Sequence, residues 1–254
     1  MTEVLFANLL FAHLLADFPL QSGAMVANKR DKKLKGLGLY KHVLVVGVVA
    51  WLVAGFPYWQ LALFVAVIHG VIDFLKVGFT RNGPRAFALD QVVHIGFLYC
   101  IAAWFCQRYV WTQWAFIPSQ LTLTVPVLAC AYLFCLWPAN YFVREVICYC
   151  KLKDNINRAG KKISAEDVKR SGMLIGAAER VLILSFILMG SVEAAGLTIA
   201  AKSLLRFNDT EGPRTEYVLA GTLLSLLAAV ICAIAIYWFA LDVDLINLMK
   251  TGKL

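Results

Sequence analysis

The chain has 254 residues, of which 61% are hydrophobic and only 16% are charged. Soluble domains are about one quarter charged, so this composition and a mean hydropathy of +0.72 exclude a soluble enzyme, a disulfide scaffold and a disordered chain. The 24 Lys and Arg outnumber the 16 Asp and Glu and give a net charge of +8. Because these basic residues fall in short loops between apolar runs, they indicate membrane topology, and we expect no nucleic-acid partner.

Apolar runs of about 17 to 25 residues, the length that crosses a hydrocarbon core, recur along the chain. We predict an all-α fold, a polytopic transmembrane helical bundle of about seven spans in a lipid bilayer. The sixth span would be about 42 Å long at about 1.5 Å per residue. It should therefore tilt, project or bend near Gly190 and Gly196. The predicted spans are Val4–Leu20, Leu39–Phe56, Trp59–Val77, Val92–Arg108, Leu121–Phe142, Met173–Ala200 and Tyr217–Leu241.

Alternate loops between these spans are basic. The loop that holds Lys29 to Lys41 is rich in lysine, whereas the next loop, at Pro57 and Tyr58, is uncharged. The positive-inside rule then predicts an outside N-terminus and a cytoplasmic C-terminus. We divide the chain into a four-helix His/Asp-rich module and a three-helix module with a basic cytoplasmic linker. The modules cover residues 1–110 and 111–254, and the linker covers residues 143–171.

All four histidines lie in or at the ends of the first four predicted spans, and three of them have an aspartate four residues away. Positions i and i+4 share one face of a helix, so each pair directs an imidazole and a carboxylate the same way. That arrangement suits two ligands of one metal ion. The pairs are His13 with Asp17, His69 with Asp73, and Asp90 with His94.

The predicted topology places the three pairs at one depth. The first and third spans run inward and end near their pairs, whereas the second and fourth run outward and begin near His42 and near the third pair. Polar side chains from four helices should therefore meet in a layer toward the cytoplasmic leaflet. An intramembrane aspartate costs roughly 2.5 to 3.5 kcal/mol at a helix centre, so this layer needs a compensating partner.

A divalent metal would supply that compensation. Carboxylate and imidazole ligands suit zinc first, with manganese or iron as alternatives, and the seven cysteines form no organised ligand set. His42 or an aspartate of the layer would accept a proton, and Lys41 or Lys76 would stabilise developing negative charge. The residues predicted to bind metal, in one site or two, are His13, Asp17, His69, Asp73, Asp90 and His94.

The second half of the chain has polar residues of its own. Glu179 and Arg180 adjoin in the sixth predicted span and should form a buried ion pair or close the site from the other side. Lys202, Arg206 and Glu216 are interpreted as anchors at the outer interface. An interfacial aromatic belt is predicted at Trp104, Trp111, Trp114 and Phe116.

These motifs resemble a known family. The residues are the stretch from His13 to Gln21, Lys41 with His42, the stretch from His69 to Lys76, and Asp90 to His94. They resemble the bacterial membrane-protein family of unknown function designated DUF3307. The resemblance implies an integral protein of the bacterial cytoplasmic membrane but implies no reaction.

Three functional hypotheses remain open from the sequence. The first is a metal-dependent hydrolase whose lipid-linked or amphiphilic substrate enters from the cytoplasmic leaflet. The second is a transporter for a divalent cation or a proton-coupled solute, and the third is a non-catalytic membrane scaffold or effector. Transport sites usually lie near the bilayer midplane, whereas this layer lies toward one face, so the geometry favours the enzyme.

Overall fold

The computed structural model describes residues 1–32, 35–79, 83–112, 122–150, 165–206 and 213–239. It is all-α and divides into two compact units, unit 1 at 1–133 and unit 2 at 134–254. Among the described residues, five helical segments are long and apolar enough to cross a membrane, which makes this a protein of membrane type. The seven-span count and the orientation stay predictions. The five segments are Leu37–Ala54, Phe56–Lys76, Pro84–Arg108, Thr124–Tyr149 and Leu219–Trp238.

Unit 1 is built around four helices that pack in a ring. Helix α1 packs against α3 and α5, and α4 packs against the same two helices, while the short α2 lies on α3. A sixth helix begins in unit 1 and crosses its boundary. The helices are α1 (Thr2–Asp17), α2 (Gly23–Lys32), α3 (Leu37–Ala54), α4 (Trp59–Phe79), α5 (Pro84–Arg108) and α6 (Thr124–Leu136).

The interior of the ring is apolar along most of its length and polar at one end. In each of the four helices, one i, i+4 row of side chains faces inward. The polar residues come last in the rows of α1 and α4 and first in the rows of α3 and α5. Because all of them lie at the same end of the ring, neighbouring helices run in opposite directions. The rows are Leu5, Leu9, His13, Asp17; His42, Val46, Ala50, Ala54; Leu61, Val65, His69, Asp73; and Asp90, His94, Leu98, Ala102.

The outside of the same helices is apolar. Leu44, Val48 and Leu52 of α3 are exposed, as are Leu63 and Phe64 of α4. A polar interior beneath an apolar exterior is the arrangement expected when the surrounding solvent is lipid. These faces are compatible with association with a bilayer.

Three sequence predictions in unit 1 need correction. Helix α2 was not predicted because its stretch is polar, and α5 begins at Pro84 rather than Val92. The start of α5 was missed because its first turns contain charged residues, although Gly83, with φ at +147°, and Pro84 are typical helix-start residues. Trp111 is not interfacial: it is buried in the apolar core and donates to the Ala54 oxygen at 3.0 Å. Trp114 and Phe116 lie outside the described residues.

Unit 2 contains the end of α6 and four further helices. Helix α8 packs against α9 and α10, and α7 packs against α8 and α10. The predicted module boundary followed residue 110, whereas the two units divide within α6. Residues 151–164 of the predicted linker lie outside the described residues. The helices are α7 (Pro138–Tyr149), α8 (Ala165–Leu188), α9 (Val192–Arg206) and α10 (Pro213–Phe239).

The fifth and sixth predicted spans are each interrupted. The fifth breaks between α6 and α7, because Pro138 has no backbone N–H to continue the helix. The sixth ends at Gly190, where φ is +73°, and the amides of Gly190 and Ser191 return to the oxygens of Ile187 and Phe186 at 3.0 and 2.8 Å. This Schellman motif reverses the chain. Of the predicted alternatives, a bend occurs, at Gly190, whereas Gly196 lies within α9. The bend is sharp enough to make α8 and α9 a helical hairpin.

Candidate metal centre

Seven histidine and aspartate side chains meet at the polar end of unit 1. Helices α1, α4 and α5 each contribute an i, i+4 pair, and α3 contributes a single histidine. Each side chain is at most 10% exposed. Ligand atoms from these residues form three groups of three, with the atoms of each group within 4.8 Å of one another. The cluster consists of His13, Asp17, His42, His69, Asp73, Asp90 and His94.

Two histidine nitrogens and two aspartate oxygens approach one another closely within the cluster. His42 Nε2 lies 3.3 Å from Asp17 Oδ1 and 3.6 Å from Asp73 Oδ2. His69 Nε2 lies 3.4 and 3.9 Å from the same two oxygens, and the two histidine nitrogens are 3.0 Å apart. Ligands about 2.0 to 2.2 Å from a tetrahedral zinc are about 3.3 to 3.6 Å from each other. Most of the five distances are therefore close to those between ligands of one ion, and the atoms of His42, His69 and Asp73 lie within 4.8 Å of one another.

The remaining members of the cluster lie directly beside this set. His13 Nδ1 is 3.7 Å from Asp17 Oδ1, and the His13 ring stacks on His94 with centroids 5.1 Å apart. The ring centroids of His69 and His94 are 4.4 Å apart. The i, i+4 spacing and the alternating helix directions together produce one continuous cluster.

Several buried polar atoms of the cluster have no hydrogen-bond partner in the described part of the chain. Buried polar groups are paired in the great majority of cases, so such a concentration requires an explanation. Metal coordination provides one, because the unpartnered atoms include carboxylate oxygens and imidazole nitrogens. The atoms are His13 Nδ1, Asp17 Oδ1, His42 Nδ1, Asp90 Oδ1 and His94 Nε2.

Three polar side chains surround the ligands and orient them. Lys29 of α2 bonds to Asp73 Oδ2, and Lys76 Nζ lies 2.6 Å from Asp90 Oδ2. Gln91 donates to the same Asp90 oxygen at 3.2 Å, which leaves its own amide oxygen 3.3 Å from His13 Nε2. Contacts of this kind fix the orientation of metal-binding carboxylates and histidines.

The structure brings all six predicted metal-binding residues together and places His42 beside them. His42, predicted as a proton acceptor, lies among the ligand atoms with a side chain that is 0% exposed. Lys76 contacts the cluster through Asp90. Lys41 is exposed, because successive residues of a helix point about 100° apart and its neighbour His42 points inward. No contact between Lys41 and the cluster occurs in the described structure.

Lys29 is the participant that sequence reasoning missed. It was counted among the basic residues of the first loop, but it is buried and paired with Asp73. Helix α2 holds it there, since Ser22 Oγ accepts from the Met25 amide at the start of α2 and Asn28 accepts from the Gly38 amide of α3. Ser22, followed by a helix-compatible stretch, was the available signal for α2.

In unit 2 the ion pair predicted between Glu179 and Arg180 does not form. Arg180 does not pair with Glu179; it donates to the Cys135 oxygen, Ser225 Oγ and Asn140 Oδ1 at 2.7, 2.8 and 2.5 Å. Glu179 pairs instead with Lys202. Lys202 reaches Glu179 because the hairpin at Gly190 returns α9 alongside α8. The side chains of Arg206 and Glu216 lie outside the described residues.

The fold and the site together define the class: an all-helical protein of membrane type whose N-terminal unit buries a histidine and aspartate cluster. The model of the family described as "Protein of unknown function (DUF3307)" matches residues 5–123. This match to residues 5–123 confirms the family resemblance seen in the sequence. Neither the curated proteins nor the solved structures gave a significant match. The matched region contains the whole cluster.

Proposed function

We propose that this protein is a membrane-embedded, metal-dependent hydrolase that cleaves a phosphate ester of a lipid-linked or amphiphilic substrate. The observation that carries the proposal is the close approach of one nitrogen each from His42 and His69 to each other and to one oxygen each of Asp17 and Asp73. Zinc fits this ligand set best, and manganese or iron are alternatives. When bound, the ion acts as a Lewis acid and makes water nucleophilic at neutral pH.

Two lysines at the cluster suit a phosphate substrate. Lys76 has a side chain that is 40% exposed, while its partner Asp90 is 5% exposed, so Lys76 extends from the surface to the buried ligands. Lys29 approaches the same cluster from α2. Ammonium groups so placed stabilise the negative charge that develops on phosphoryl oxygens. Lys41, being exposed, is not assigned this role.

Proton transfer in this proposal falls to a carboxylate. His42 was the first candidate, but its Nε2 lies among the ligand atoms. An aspartate of the cluster accepts the proton through a carboxylate oxygen outside the ligand set as water adds to phosphorus, and the P–O bond to the lipid alcohol breaks. The alcohol leaves with a proton from the surrounding water.

The position of the cluster supports entry of substrate from one leaflet. All the ligands lie at one end of the bundle, whereas transport sites typically lie near the bilayer midplane. Lys29, Arg30 and Lys32 lie on α2 at this end, and Arg85 lies near the start of α5. By the positive-inside rule this is the cytoplasmic side, and we assign the protein to the bacterial cytoplasmic membrane.

The test is hydrolysis by purified, zinc-loaded protein in detergent. Phosphatidic acid and a polyprenyl phosphate are offered separately, and released inorganic phosphate is measured. We expect turnover of one of them and at least a hundredfold loss of kcat/KM in Asp17→Asn and His69→Ala. The matched control is Asn8→Ala, because Asn8 is buried in α1 and, among the described residues, its side chain bonds to the Val4 oxygen of its own helix.

Two results would contradict the proposal. One is turnover that is unchanged in the ligand variants, since the activity would then come from a contaminant. The other is zinc flux into proteoliposomes without hydrolysis of either lipid, which would identify a transporter.

A further inference from the structure

A second set of ligand atoms lies beside the first, where α4 meets α5. An oxygen of Asp73, an oxygen of Asp90 and a nitrogen of His94 lie within 4.8 Å of one another, and all three residues are buried. We propose that this set binds a second divalent cation, so that the Asp73 carboxylate lies between two ions. The inference rests on the proposed function for the first ion, to which Asp73 also belongs.

The ring of His94 is oriented as a ligand. Its Nδ1 lies 2.9 Å from the backbone oxygen of Asp90. Because a carbonyl oxygen only accepts, Nδ1 carries the proton, and the lone pair of the neutral ring is on Nε2. This Nε2 is buried and has no hydrogen-bond partner among the described residues. A histidine whose other nitrogen donates to a carbonyl is the usual arrangement around a bound metal.

The two oxygens of the Asp90 carboxylate also differ in their hydrogen bonding. Its Oδ2 accepts from Lys76 at 2.6 Å and from Gln91 at 3.2 Å. Its Oδ1 is buried, lies 3.6 Å from His94 Nδ1 and has no hydrogen-bond partner in the described ranges. One oxygen is thus held by protein donors while the other is left for a ligand. Two different residues, Asp90 and His94, therefore each retain one buried polar atom without a hydrogen-bond partner among the described residues.

Charge favours a second cation together with an anionic substrate. Three aspartates and two lysines meet in the cluster, so with neutral histidines it carries a net negative charge. Two dications would make the filled centre positive, and this suits an entering phosphate. Ions about 3.5 to 4 Å apart clamp a phosphoryl group from both sides.

Metal counting with Mn²⁺ tests the second position without any activity measurement. Detergent-purified protein is saturated with Mn²⁺, freed of excess, and its manganese content per chain is measured by mass spectrometry. Electron paramagnetic resonance of the same samples detects the spin coupling of neighbouring Mn²⁺ ions. The variants are Asp90→Asn and His94→Gln, with Asn8→Ala as the control, and thermal unfolding verifies that each variant is folded.

We expect about two ions and a coupled spectrum in the wild type and control, and about one ion and an uncoupled spectrum in both variants. One ion in every sample would overturn the second position and leave the hydrolase proposal intact. Two ions in the variants would overturn its placement at Asp90 and His94. No ion in any sample would refute both proposals, whereas two ions without lipid hydrolysis would refute the hydrolase alone.

Discussion

The buried guanidinium of Arg180 should be a main determinant of the stability of unit 2. Its side chain is 1% exposed and joins α8 to the broken α6–α7 segment and to α10 through three hydrogen bonds. The Cys135 oxygen is one of the carbonyls that the break before Pro138 leaves without a helical donor. Interhelical hydrogen bonds in membrane proteins contribute about 0.6 kcal/mol on average and up to about 1.7. Arg180→Met should therefore destabilise the protein by about 2 to 5 kcal/mol.

Thermal unfolding in detergent measures this loss. The change corresponds to a fall in Tm of roughly 4 to 20 °C, and Arg180→Lys should recover only part of it, because one ammonium cannot reach three divergent acceptors. Arg144→Met is the matched control, since Arg144 is 41% exposed and should change the stability by less than about 0.5 kcal/mol. An Arg180→Met variant as stable as the wild type would refute the reasoning and would mean that burying the charge costs as much as its bonds contribute.

Three further substitutions test other parts of the structure. Lys29→Met removes an ammonium that orients the carboxylate of a proposed ligand, Asp73, so zinc should bind at least tenfold more weakly in chelator competition; unchanged or tighter binding would contradict this. Gly190→Ala places a side chain at φ +73° and should destabilise the hairpin by about 1 kcal/mol, measured by thermal unfolding. A variant as stable as the wild type would contradict the requirement for glycine at this turn. Trp111→Phe leaves the buried Ala54 oxygen without its donor and should cost about 1 to 3 kcal/mol, measured in the same way; full stability would show that the bond contributes little.

The candidate site was largely predictable because helix periodicity determines it. An i, i+4 spacing places His69 and Asp73 on one face, and the alternation of helix directions brings such pairs to one depth. Neither inference requires knowledge of side-chain packing. The role of His42 was harder to predict, since it has no paired aspartate on its own helix and joins the ligands only through packing of α3 against α1 and α4.

Lys29 shows what the sequence pattern does not determine. The buried lysine and the solvated lysines near it occur in the same polar stretch, so the local sequence does not distinguish them. Only the packing of α2 against α3, with Asn28 bonded to the Gly38 amide, directs Lys29 inward.

Unit 2 shows that the sequence pattern does not determine where the chain reverses direction. The stretch Met173–Ala200 is apolar enough to be taken for one long span, and hydropathy does not report that the chain turns at Gly190. In a continuous helix Glu179 and Lys202 would be roughly 34 Å apart at about 1.5 Å per residue. In the hairpin they form an ion pair. Charged residues that would be far apart in one continuous helix are therefore in contact here.

Metal content is the most direct test of the central claim, that the buried cluster binds a divalent cation. Wild-type protein and the double variant His69→Ala with Asp73→Ala are purified in detergent as monodisperse samples, and their metals are measured by mass spectrometry. The account predicts about one or two transition-metal ions per chain in the wild type and their loss in the double variant. A folded wild type that stays empty after incubation with zinc or manganese would contradict it.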